Sequence, residues 1–178
     1  MTADELKSLI RAIPDFPKPG IMFRDITTLI GHGAGFAASV TMLAERVRAA
    51  GGEAIAGMEA RGFIFGAAVS AQMGLPFIPV RKPGKLPVPV LAIDYALEYG
   101  TDTLEVDPGA VGEGQRVVIL DDLIATGGTA MAAVQLLRRA GGRVDHALFV
   151  IDLPELGGAE KLRGLGVDVR ALVDFAGH

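Results

Sequence analysis

Apolar positions along the chain alternate between short unbroken runs and helical periodicities. Val117, Val118, Ile119 and Leu120 form a continuous aliphatic run of the kind that a parallel strand buried on both faces requires. Comparable runs predict strands over residues 53–58, 75–80, 145–153 and 167–175. Between them, Phe36, Val40, Leu43 and Val47 recur at helical spacing with Glu45, Arg46 and Arg48 opposite, and Gly51-Gly52 stops the pattern. Further helices are predicted over 63–73, closed by Gly74, over 129–140 with Met131, Val134 and Leu137 inward, and over 158–163. Leu6, Leu9, Ile10 and Ile13 predict an N-terminal helix over 4–13, stopped by Pro14. The segment DFPKPGIMFRDIT carries Pro17, Pro19 and Gly20 and reads as a stiff loop able to present backbone groups. Residues 95–106 alternate around Gly100, which predicts a hairpin or mobile flap. The succession of strands and helices points to one α/β domain over residues 1–178, with a doubly wound, mostly parallel sheet.

Composition narrows the classes of function. A length of 178 residues, half of them hydrophobic, is enough to bury a substantial core. A net charge of −4 argues against a nucleic-acid surface, although local cations can still make a cleft attractive to phosphate. With no cysteine, disulfides, thiolate metal sites and a cysteine nucleophile are excluded together, and a cytoplasmic location is expected. No apolar run approaches the roughly 20 residues that cross a bilayer, so no membrane partner is expected.

The candidate chemistry gathers at predicted strand ends. Asp121 and Asp122 close the run 117–120, at the edge where open α/β sheets bind ligands. Ala125, Thr126, Gly127, Gly128 and Thr129 follow, small residues with hydroxyls and free N–H groups directly before a helix, which is an anion-binding pattern. Ala60-Arg61-Gly62 follows the strand 53–58, and Arg81, Lys82 and Lys85 follow the strand 75–80. Right-handed crossovers put these three elements on one edge of the sheet, so a sugar with phosphate at both ends is the ligand expected. No GxxxxGK[ST] is present for a P-loop kinase, and Ser8, Ser39 and Ser70 lack a GxSxG setting. His32, His146 and His178 show no metal-ligand spacing.

The string RVVILDDLIATGGT resembles the phosphoribosyl pyrophosphate (PRPP) motif of the type I phosphoribosyltransferases, and PDFPKPGIMFRDIT, AGMEARGFIFG, RKPGKLP and YALEYG extend the resemblance over nearly the whole chain, weakening after Leu153. The resemblance implies a central, mostly parallel sheet flanked by helices, with a flexible catalytic flap and a small hood. It also implies transfer of phosphoribosyl from PRPP to adenine, giving AMP and pyrophosphate with Mg²⁺, in a homodimer. Carried over by position, Asp121 and Asp122 hold the ribose diol and residues 125–129 wrap the ribose phosphate. Ala60, Arg61, Arg81, Lys82 and Lys85 bind pyrophosphate, with Arg81 and Lys82 candidates for serving a neighbouring subunit. Met22 and Arg24 read the base edge through their backbones, and Phe23 and Leu153 clasp its faces. Glu98 is the expected proton partner on a flap that also carries Tyr99, and Mg²⁺ is expected on PRPP and water rather than on direct protein ligands. Two alternatives remain: a relative acting on another base, against which IMFRDI and YALEYG speak, and a non-catalytic PRPP sensor, which would be expected to add a nucleic-acid-binding element.

Overall fold

The computed structural model describes residues 1–97 and 99–177. Its centre is a five-stranded, wholly parallel sheet in the order β4-β3-β7-β8-β9. In chain order the elements are α1 (Ala3–Ser8), β1 (Arg11–Pro14), β2 (Met22–Asp25), α2 (Thr27–Ile30), α3 (Gly33–Ala49), β3 (Ala54–Met58), α4 (Arg61–Met73), β4 (Phe77–Val80), β5 (Leu91–Ala96) and β6 (Thr101–Val106). These are followed by β7 (Arg116–Ile124), α5 (Gly128–Arg139), β8 (Arg143–Asp152), α6 (Gly158–Arg163) and β9 (Asp168–Asp174).

Each central strand is buried on both faces, which is why the strand runs are continuous rather than alternating. Val117 and Ile119 point into one apolar layer with Val134 and Leu137 of α5, Leu162 of α6, and Ile93 and Leu104 of the β5–β6 hairpin. Val118 and Leu120 point into the other, against Leu43 and Val47 of α3, Phe65 and Val69 of α4, and Leu6 and Leu29 of α1 and α2.

The N-terminus departs from the helix expected over 4–13. α1 starts at a reciprocal cap, Thr2 accepting from the Glu5 N–H and Glu5 from the Thr2 N–H, but it ends at Ser8, and Ile10 and Ile13 do not continue it. Arg11 is instead drawn into a strand by distant partners: its N–H donates to Thr28 Oγ1 at 3.1 Å and its guanidinium to Asp25 Oδ2 at 2.5 Å. The expected stiff loop is correspondingly shorter, since Met22–Asp25 pairs antiparallel with Arg11–Pro14. This hairpin reaches the far end of the sheet, where the Arg24 guanidinium stacks 4.4 Å from the Phe175 ring and donates to the Ala176 carbonyl. The second hairpin also begins earlier than expected, at Leu91, and pairs with Thr101–Val106 in register.

Candidate active site

A cavity of about 730 Å³ opens at the carboxyl ends of β3 and β7. Its wall includes Ala60, Arg61, Lys82, Asp121, Asp122, every residue of 125–129, and Lys161. The phosphate-type loop begins where β7 ends and α5 starts. Gly127 caps α5 in the left-handed region, at φ 85°, where a side chain would be strained, and a Cβ there would lie 2.8 Å from the Cα of Gly158. The loop therefore turns tightly with its N–H groups at the head of a 12-residue helix, the arrangement that attracts an anion.

Beside it stand the two acids. Asp122 is buried and pairs with Arg61 Nε at 2.8 Å. Burial, with the Asp122 carboxylate second, pushes the Asp121 carboxyl well above its ordinary range, although the Asp122 N–H donates to it at 2.8 Å. Two carboxyl groups side by side offer several oxygens to a pair of sugar hydroxyls.

The cationic turn is held largely by carboxylates. Glu59, at the end of β3, accepts from Arg81 Nε at 3.3 Å, from the Lys82 N–H at 2.7 Å and from the Lys85 ammonium. Burial works against its charge, but these donors outweigh that cost and hold its pKa below the ordinary glutamate value. Lys82 donates to Asp102 and, at 3.1 Å, to the Tyr95 hydroxyl. Tyr95 stands 3.5 Å from Thr129 Oγ1, so the β5–β6 hairpin touches both the cationic turn and the phosphate-type loop. Arg81 and Glu105 also exchange backbone hydrogen bonds at 2.9 and 2.8 Å, fastening that turn to β6.

The other expected residues lie elsewhere at this edge. Arg81 and Lys85 bond to Glu59 and are not on the cavity wall. Met22, Phe23 and Arg24 lie on β2, and Leu153 is buried just past β8, its N–H donating to the Ile124 carbonyl; none of the four lines the cavity. Phe23 packs edge to face on Phe16. Tyr99 is 82% exposed, with the Lys18 ammonium 5.9 Å from its ring. Glu98 lies outside the described residues, as does His178. His32 caps α3 by accepting from the Gly35 N–H at 3.0 Å, and His146 sits 3.6 Å from Asp168.

Four participants were not singled out from the sequence. Glu59 carried a signal, an acid at a strand end two residues before an arginine, but its role depends on partners more than twenty residues away. Asp102 and Tyr95 meet Lys82 only because the hairpin folds back, and Lys161 arrives from α6. No group of three or more His, Asp or Glu side chains able to hold a metal occurs among the described residues, and no helix among them is long and apolar enough to cross a membrane.

A carboxyl-edge cavity with an anion loop, a diol-sized acid pair and a cationic wall defines a protein that grips a phosphorylated sugar. The chain belongs to the phosphoribosyltransferase family, and residues 30–161 match the family's phosphoribosyl transferase domain. Within that family it is 71% identical to the adenine phosphoribosyltransferase of Novosphingobium aromaticivorans, over all of both chains. It superposes on the crystal structure of adenine phosphoribosyltransferase from Thermoanaerobacter pseudethanolicus with a TM-score of 0.92 at 49% identity, covering 98% of this chain and 100% of that one. The Saccharomyces cerevisiae enzyme, solved with an imino-altritol bisphosphate and adenine, matches at a TM-score of 0.90 and 35% identity, covering 96% and 98%.

Proposed function

We propose that this chain, working as a single domain in a homodimer, transfers the phosphoribosyl group of PRPP to adenine, releasing AMP and pyrophosphate. The observation that carries the reading is the cavity itself, in which the loop 125–129, the acids Asp121 and Asp122, and the cations Arg61 and Lys82 share one wall. The relatives' name, adenine phosphoribosyltransferase, and the adenine in the Saccharomyces cerevisiae structure support the choice of base.

In the reaction N9 of adenine bonds to the anomeric carbon as the bond from that carbon to the pyrophosphate oxygen breaks. Charge builds on the leaving group and on a cation-like sugar. Arg61 and Lys82 face the leaving pyrophosphate, and Glu59 holds Arg81 and Lys85 beside it. The loop 125–129 anchors the far phosphate, so that the sugar is fixed at both ends. Met22 and Arg24 offer backbone groups to the base, with Phe23 and Leu153 at its faces. The β5–β6 hairpin, already in touch with Thr129 and Lys82, closes over the sugar and excludes water. Glu98 takes the ring proton that adenine releases and returns it in the reverse direction. Mg²⁺ would be held by PRPP and water rather than by direct protein ligands, and there it would neutralise pyrophosphate charge while keeping most of its waters. A cytoplasmic location accords with a cysteine-free chain.

The test is nucleotide formation from PRPP with adenine, hypoxanthine and guanine in parallel, each with Mg²⁺ and with EDTA. AMP from adenine alone, and only with Mg²⁺, is the expected result. Binding of PRPP without turnover of any base would replace the enzyme with a sensor, and near-normal turnover by Glu98→Gln would remove that residue from the proton step.

A further inference from the structure

The segment after Leu153 completes the phosphate side of the cavity. Gly158, the first residue of α6, donates its N–H to the Ala125 carbonyl at 3.0 Å, and a Cβ at this position would stand 2.4 Å from that oxygen. α6 is thus seated backbone to backbone on the loop. Lys161, nearly one turn along, reaches back so that its Nζ lies 3.2 Å from the Thr126 carbonyl oxygen, and its side chain lines the cavity.

The cavity has two other cations on its wall, and both are neutralised by the chain: Arg61 by Asp122 and Lys82 by Asp102. Lys161 has no carboxylate partner among the described residues. One carbonyl occupies one of the three protons of an ammonium, which leaves two donors and a full charge beside the loop. The loop's other means of holding an anion are neutral N–H groups, hydroxyls and the partial charge of the α5 terminus. A phosphate monoester carries nearly two negative charges at neutral pH, so a cation at this end is the missing complement.

We propose that Lys161 is a binding residue for the 5′-phosphate of the sugar, contributed by α6 and positioned by the contact of Gly158 with Ala125. This rests on the assignment of the loop 125–129 to the ribose phosphate.

The experiment compares Lys161→Met and Lys161→Arg with the parent chain. KM is measured for PRPP, and dissociation constants by calorimetry for ribose 5-phosphate, AMP and inorganic pyrophosphate. A charge-assisted hydrogen bond corresponds to about a tenfold change in affinity. The expected result is a rise of about tenfold in the PRPP KM of Lys161→Met, with the same loss for ribose 5-phosphate and AMP, an unchanged pyrophosphate constant and an unchanged Tm. Lys161→Arg should restore most of the loss. Equal weakening of pyrophosphate and ribose 5-phosphate, or a lowered Tm that accounts for the weakening, would make Lys161 a structural clip and overturn the proposal, as would parental constants throughout. Failure of the parent chain itself to bind ribose 5-phosphate and AMP would instead remove the loop assignment, and the proposal with it.

Discussion

Replacing Gly158 with alanine sets two physical effects against each other. Gly158 is the first residue of α6 and Gly33 the first of α3, so both substitutions fall at the same helical position. Helix propensity favours alanine by about 0.5–1 kcal/mol at either site. At Gly33 a Cβ meets nothing within 4 Å, so that gain stands alone. At Gly158 the same atom would lie 2.4 Å from the Ala125 oxygen, 2.8 Å from the Gly127 nitrogen and 2.9 Å from Ile124 Cγ1. Two of the three are backbone and cannot swing aside. Overpacking of this kind costs about 1–3 kcal/mol, so the net change is a loss of up to about 2.5 kcal/mol. For a chain of this size that lowers Tm by up to about 10 °C. The displaced groups belong to the phosphate-type loop, and a shift approaching 1 Å there is expected to raise the PRPP KM by at least about tenfold. Differential scanning calorimetry with initial-rate kinetics on both variants checks this. Gly33→Ala should raise Tm slightly with parental kinetics. A Gly158→Ala chain as stable as Gly33→Ala, with an unchanged PRPP KM, would refute the claim that α6 and the loop touch through backbone.

Glu59→Gln should release the cationic turn, raising the PRPP KM by roughly tenfold, the equivalent of one charged hydrogen bond. The adenine KM should move less than about twofold, and parallel rises in both would count against a pyrophosphate-side role. The second expectation concerns acid. The hydrogen bond from the Thr27 hydroxyl, followed by that from Arg11, holds the Asp25 carboxyl down to about 2. Because the folded value lies below the unfolded one, the contribution is complete above the ordinary aspartate range and is lost as pH falls from about 4 towards 2. Asp25→Asn should therefore be less stable than the parent at pH 6, with the gap narrowing in denaturant melts taken at pH 3; a gap independent of pH would rule out the ionised Asp25 carboxylate as its source.

The parallel sheet was legible because its strands are buried on both faces. Burial on two sides forces runs such as 117–120, and their shortness and β-branched content set them apart from a buried helix. The loop 125–129 and the acid pair were legible for a related reason, since they follow that run directly and local sequence sets local geometry. What local sequence could not supply was partnership across the chain. Leu6, Leu9, Ile10 and Ile13 have helical spacing, yet Arg11 is claimed by Thr28 and Asp25, and the helix stops at Ser8. β2 is four residues long and shows no alternation, so only its pairing with Arg11–Pro14 makes it a strand. Glu59, Asp102 and Lys161 have the same explanation: an acid or a lysine in isolation reads as a solvated charge until the fold brings its partner.

Those partnerships have a consequence for what the protein can bind in a cell. Besides Lys161, the cations on the cavity wall, Arg61 and Lys82, are each tied to a carboxylate of the same chain, so an anion arriving there must compete with Asp122 and Asp102. A lone inorganic phosphate can displace one such tie and gains little by it. A ligand anchored at its far end on the loop 125–129 competes at high local concentration, and can break both ties in a single binding event. The paired state thus sets a threshold at the cationic end, one that favours molecules charged at both ends over free phosphate.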